Sequence, residues 1–185
     1  MSTGICTTNL FTPTLLTQSS LDSRVRQWSA FHTKPRQEKA LARDLLVSEI
    51  PFYLPLVKKT VRYGNRRVVS TLPLFPSYLF FLGSDEERLR ALQTNRILHC
   101  LAVDDPAKLH YDLLRLEQMI ASGLPMTAES RLQAGQRVRI RRGALAGLEG
   151  TILVRRGMSR LLISVDFLQK GASVAVEDDI LERLD

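Results

Sequence analysis

From Gly123 to Arg131 the chain reads Gly-Leu-Pro-Met-Thr-Ala-Glu-Ser-Arg, with no apolar period and with both strong turn formers. The texture of the sequence changes across it. Upstream, strand-like runs alternate with segments of helical spacing. Downstream, short alternating runs are punctuated by glycine, with no convincing helical period. This predicts two units of different class joined by a linker. The boundaries read as a leader over 1–24, a first domain over 25–122, a linker over 123–131 and a second domain over 132–185. With 185 residues to share, each unit has room for a modest core.

In the first unit, Trp28 to His32 reads as a short strand. Pro35 suits the first turn of a helix, and Arg36 to Ile50 carries apolar residues at Leu41, Ala42, Leu45, Leu46 and Ile50 before Pro51 stops it. Tyr53 to Val61 and Arg67 to Leu82 read as strands around a tip at Gly64-Asn65. Ser84 followed by Glu87 is a capping box for a helix ending near Thr94. Ile97 to Val103 reads as a buried strand. Asp105 caps a helix with Pro106 at its first position, an apolar stripe at Leu109, Leu113, Leu116 and Ile120, and Gly123 at its end. The order β-α-β-β-α-β-α predicts an antiparallel sheet backed by helices, an α+β domain.

In the second unit, Arg137-Val138-Arg139-Ile140-Arg141 alternates strictly. Gly143, Gly147 and Gly150 mark a turn, a strand resumes at Thr151 to Val154, and Arg156 to Ser159 turns again. Leu161, Ile163, Val165 and Phe167 share one face of the next strand, and Ser173 to Val176 begins the last pairing. Five short strands in so few residues predict a small closed β-barrel.

Charge is unevenly placed. Of 26 basic and 19 acidic residues, net +7, the segment 25–83 alone contributes +7; 84–130 contributes −3 and 131–185 +3. One face that meets a polyanion explains this asymmetry, and so does a solvated basic surface. Cys6 and Cys100 are too few for a disulfide framework, which predicts reduced thiols in the cytoplasm. The longest apolar run, Leu72 to Leu82, contains Pro73, Pro76 and Ser77 and falls far short of the roughly 18 residues of a membrane helix. Residues 1–24 lack a basic start, and Pro13 breaks their apolar patch, so they read as a solvated leader without a signal peptide's pattern.

The pattern points to binding and away from catalysis. His32, His99 and His110 fall on three different elements, and no Ser or Cys has a nucleophile's context. His99 and Cys100 are neighbours on a strand, so they face opposite ways and cannot hold one metal; each reads as a buried structural residue. Asp104-Asp105 and Asp178-Asp179 sit where a helix cap and a turn are expected. No phosphate-cradling or dinucleotide motif is present, and no cofactor or metal is expected.

The most informative stretch is Leu72 to Phe81, which hardly alternates. Either both faces of that strand are covered within the domain, or one presents aromatic residues to a partner. Trp28 and Phe31 would extend such a patch from the neighbouring strand. The cations divide into Lys34, Arg36, Lys39 and Arg43 at the start of the first helix, where they oppose its dipole by about a few tenths of a kcal/mol each, and Lys58, Lys59, Arg62, Arg66 and Arg67 along the hairpin.

Together these residues resemble the NusG family of transcription elongation factors. Trp28…His32-Thr33-Lys34-Pro35-Arg36-Gln37-Glu38 is similar to the opening of its amino-terminal (NGN) domain, which is ferredoxin-like. Leu74-Phe75-Pro76-Ser77-Tyr78-Leu79-Phe80 is similar to that domain's F-P-[GN]-Y signature. Gly135 to Ile140, with Gly143 to Gly150, is similar to the KOW motif of its SH3-like carboxy-terminal barrel. The resemblance spans 26–185 and implies a function. The first domain would dock on the clamp-helix coiled coil of RNA polymerase's largest subunit and bridge the DNA cleft, favouring the closed, pause-resistant enzyme. Trp28, Phe31, Phe75, Pro76, Tyr78 and Phe80 would form the docking depression or its support. Lys34, Arg36, Arg66 and Arg96 would face the non-template strand and upstream duplex. Phe167, Leu168 and Lys170 match the loop by which the barrel contacts the ribosomal protein NusE and, in housekeeping members, the terminator Rho. Ser77 stands where housekeeping members usually have Gly, and Pro73 to Pro76 resembles the specialised RfaH-like paralogues, which favours an operon-specific antiterminator over the alternatives, a general housekeeping factor or a KOW-containing RNA- or ribosome-binding protein; a monomer is expected. RfaH hides its polymerase site under a helical carboxy-terminal domain; the glycines and alternation here predict strands instead.

Overall fold

The computed structural model describes residues 26–64, 66–129, 135–155 and 157–184. The leader read over 1–24 and Asn65 of the expected hairpin tip lie outside them. The chain divides into two compact units, one ending at Asp104 and one beginning at Asp105.

The first unit is built on a four-stranded antiparallel sheet in the order β2-β5-β1-β6. Its strands are β1 (Gln27–Thr33), β2 (Phe52–Tyr53), β5 (Tyr78–Gly83) and β6 (Ile97–Ala102). The register pairs Trp28 with Leu82, Ala30 with Phe80 and His32 with Tyr78, so these six share one face. The other face carries Phe31, Leu79 and Phe81, which pack with Leu41, Ala42 and Leu45 of α1 (Glu38–Val47) and Ala91 of α2 (Asp85–Gln93). The Ser84–Glu87 capping box forms as the spacing predicts. Helix α1 is shorter at its start than expected: Arg36 adopts φ 61°, so Pro35 and Arg36 form a turn ahead of the helix. Pro55 and the stretch Leu74 to Ser77 break the long apolar runs. They free β3 (Leu56–Tyr63) and β4 (Arg66–Pro73) as a separate two-stranded ribbon. Gly64, at φ 58°, supplies the backbone that a two-residue turn requires. Strand β6 is an edge strand with Leu98 and His99 exposed and Cys100 half-buried, which corrects the buried roles expected for it.

The second unit is a six-stranded sheet preceded by a helix. Helix α3 (Pro106–Ala121) starts as read: Asp105 accepts from the Lys108 N–H, and Pro106 stands in the first turn. The sheet order is β12-β8-β9-β10-β11-β7, with β7 (Met126–Glu129), β8 (Arg137–Ile140), β9 (Glu149–Arg155), β10 (Met158–Val165), β11 (Lys170–Ala175) and β12 (Leu181–Arg183). This is the strand-built carboxy-terminal region that the sequence predicts, with two corrections. The stretch read as a linker contains β7, which pairs with β11 from Gly171↔Glu129 to Val174↔Met126. Its backbone bonds are supplied by a distant strand, which no local period reports. Helix α3, read as part of the first domain, counts with the second unit because it packs against β10. The fold class is α+β, with the helices over an antiparallel sheet in one region and strands alone forming the sheet of the other.

Candidate docking surface

The face of the first sheet opposite α1 and α2 is lined by aromatic rings. Phe80 lies between Tyr53, with ring centroids 6.1 Å apart, and Phe75, whose ring meets it edge-on at 6.4 Å. Toward the other end, His32 stacks on Tyr78 at 5.1 Å and on His99 at 5.9 Å, forming a row of rings across β5, β1 and β6. Trp28 shares this face through its pairing with Leu82. Burial grades along the surface. Trp28, Phe75 and Phe80 retain 5%, 2% and 0% of their exposure, while Tyr78 and His32 are half-buried and Pro76 and His99 exposed. The rings therefore do not form an open pad. Trp28, Phe75 and Phe80 are buried, and Tyr78 with Pro76 reaches solvent.

Phe31 is a correction. Alternation along β1 turns it to the helix-covered face, where it stacks on Phe81 at 4.7 Å and is fully buried. It belongs to the domain's own core. His32 and His99 were missed as site residues, although the same alternation places His32 beside Trp28; the contact with His99 needs the β1–β6 register, His32↔His99, which the sequence does not carry. Tyr53 was missed for a similar reason, since β2 joins the sheet through β5.

The turn carrying Pro76 is held by two backbone groups. Ser77 adopts φ 66°, and its N–H donates to Glu38 Oε1 at 2.7 Å while its carbonyl accepts from Thr33 at 2.9 Å. This left-handed conformation is the one that glycine or asparagine adopts at least cost, the physical reason those residues suit the position.

Three of the four expected nucleic-acid residues lie around the start of α1 and β6. The Lys34 N–H donates to the Arg96 carbonyl at 2.8 Å, and Lys34 Nζ to Asn95 Oδ1 at 3.1 Å. Arg36 is exposed on its strained turn. Arg96, just ahead of β6, is engaged within the domain: Nε meets Asp44 Oδ2 at 2.6 Å and Nη1 donates to Gln37, while the side chain stays part-exposed. Arg66 is exposed at the far end of the ribbon, with Lys58, Lys59, Arg62 and Arg67 exposed along it. Lys39 instead donates to the Thr71 carbonyl and fastens α1 to β4.

In the second unit, Phe167 and Leu168 lie half-buried in a single 3-10 turn, Asp166–Leu168. Lys170 pairs with Val165 across the turn, and burial lowers its ammonium pKa. No group of His, Cys, Asp or Glu suited to a metal occurs among the described residues, and no helix there is long and apolar enough to cross a membrane.

A family model described as NusG, transcription termination factor nusG, matches residues 26–115. That segment is a NusG-family domain. The match takes in the aromatic face, the basic ribbon and most of α3. Two solved structures match most of the chain's length at low identity and low TM-score. One, "Domain interaction in Thermotoga maritima NusG", is 16% identical with TM-score 0.47, covering 88% of this chain and 99% of that one. The other, "Crystal Structure of MjSpt4:Spt5 complex conformation B", is 11% identical with TM-score 0.29, covering 85% and 97%. No curated protein sequence matches the chain. The family that this segment matches is described as one of transcription factors.

Proposed function

We propose that the protein is a transcription elongation and antitermination factor. Its NusG-family domain docks on the clamp helices of RNA polymerase's largest subunit and bridges the DNA cleft. The observation that carries this reading is the graded aromatic face: Tyr78 and Pro76 are accessible above a floor of Trp28, Phe75 and Phe80. A ring already stacked on a neighbour, as Tyr78 is on His32, loses little conformational freedom on binding, so its contact area converts well into affinity. Docking that prefers the closed clamp shifts the enzyme toward that state and suppresses pausing or termination. Arg66 and its ribbon neighbours, with Lys34 and Arg36, meet the non-template strand and upstream duplex. The second unit acts as a KOW-type barrel that recruits NusE, or Rho, through Phe167, Leu168 and Lys170. Ser77 in the left-handed turn supports specialised, RfaH-like service of particular operons.

The test is capture of core RNA polymerase followed by a pausing assay. Tyr78→Ala is expected to abolish capture without unfolding the domain, and Arg66→Ala to weaken DNA association most at low salt. Capture unchanged by Tyr78→Ala together with Pro76→Ala removes the docking assignment.

A further inference from the structure

Between Pro51 and Gly83 the chain contains no Asp or Glu, yet it carries Lys58, Lys59, Arg62, Arg66 and Arg67. All five stand on the β3–β4 ribbon, and none meets a carboxylate among the described residues. The ribbon is fastened near its base, where Lys39 donates to the Thr71 carbonyl. From that level outward, Lys58 to Thr60 and Arg66 to Val69 are exposed without interruption. Successive strand residues point to opposite sides, so both faces of the ribbon are open. The register sorts them. Lys58, Thr60 and Arg62 stand directly across from Thr71, Val69 and Arg67, and so share one face with them. The centre of that face is Thr60 with Val69, the latter 62% exposed, and its outer end is two arginines opposite each other. Like charges directly opposite destabilise a two-stranded ladder, which is marginal on its own. A surface that serves solubility alone mixes both signs, whereas here an external polyanion is what offsets the repulsion.

We propose that this face lies in the major groove of duplex DNA and reads base edges there. The groove of B-form DNA, about 12 Å wide, admits a two-stranded ribbon, whereas the deep, narrow major groove of duplex RNA does not. From Lys58 to Arg62 the face runs about 13 Å, the length of about four base pairs. Lys58, Arg62 and Arg67 contact phosphates at its two ends and fix the register on the duplex. Between them, the methyl groups of Thr60 and Val69 meet thymine methyls, which are displayed in that groove. An acidic protein surface would answer the charge alone; the groove also answers the ribbon's width and its methyl-bearing centre. The proposal deepens the contact with upstream duplex given above and rests on it. Binding to free DNA needs no polymerase, so the groove contact can fail while docking through Tyr78 stands, and the reverse.

The experiment is fluorescence anisotropy of the full chain with short labelled duplexes that have an A·T-rich centre, as DNA and as RNA of the same sequence, over a salt series. The DNA duplex is expected to bind at least about tenfold more tightly than the RNA duplex. Arg62→Ala with Arg67→Ala should lower the slope of log affinity against log salt by about two. Deoxyuridine in place of thymine removes the methyl group alone and should weaken parent binding about threefold. That penalty should vanish in the double variant Thr60→Ser with Val69→Ala. The substituted side chains stand on the ribbon, outside the domain's core. Equal affinity for DNA and RNA overturns the groove reading and leaves contact with phosphates alone. A deoxyuridine penalty that is absent, or that the double variant retains, overturns the roles given to Thr60 and Val69. No binding to DNA, or binding indifferent to the two arginines, overturns the ribbon as a nucleic-acid site and leaves an acidic protein surface as its partner.

Discussion

Glu87 on α2 and Asp112 on α3 are both buried carboxylates on capped helices, and their surroundings treat the charge in opposite ways. Burial pushes the Glu87 carboxyl up, but Arg26 at 2.7 Å, the Ser84 N–H at 2.8 Å and the Ser84 hydroxyl outweigh it and hold the group below the usual range. Burial pushes Asp112 up as well, and there it wins. One long bond from the Asp166 N–H and the Arg115 charge do not offset it, and the nearby Asp166 carboxylate adds to the rise. The first carboxylate fastens its helix to its own unit. The second is kept at a cost.

The largest break in this comparison is Glu87→Ala. It removes the capping box and strands the Arg26 guanidinium, and should cost about 2–3 kcal/mol in urea unfolding of the first unit. A sharper and smaller contrast comes from amides of equal shape. Glu87→Gln should cost about 1 kcal/mol, whereas Asp112→Asn should be neutral or stabilising by up to about 1 kcal/mol, because it deletes a charge that burial opposes. Opposite signs for the same chemical change are the outcome to look for.

Acidification should separate the pair again, by no more than those neutralising variants do. Stability from Glu87 is present above its unfolded pKa and is lost as pH falls through its lowered folded pKa. For Asp112 the folded pKa is raised, so the folded state takes up its proton first and gains stability as pH falls through that range. Subtracting each Asn or Gln variant's pH profile from the parent's isolates the two slopes. The smallest expected effect is Ser77→Gly. Glycine relieves the left-handed turn at φ 66° but adds chain entropy, leaving a gain of about 0.5 kcal/mol in thermal or urea unfolding.

Much of the fold was legible because its signals are short-range. The Ser84–Glu87 box, the Asp105–Pro106 start and the Gly64 tip are each settled by residues within three positions of one another. The site was legible only in part. Trp28, Phe80 and Tyr78 fall on one sheet face through the β1–β5 register, and Phe75 meets Phe80 edge-on. Phe31 went to the core, Arg96 to Asp44, and the two histidines into the ring row, and each of these outcomes depends on a register or a helix placed tens of residues away. The strand β7 hid inside an aperiodic stretch because its bonds come from β11.

What the sequence by itself determined, then, is the set of elements with their caps and the resemblance of the first unit, since spacing along the chain fixes local hydrogen bonds and the side of a strand on which each residue falls. The tertiary structure decided which of those sides the helices cover, which cations are consumed by carboxylates, and which strand α3 lies against. Those depend on closing long loops, where the free energy of packing and charge neutralisation chooses among partners that the local pattern leaves equivalent.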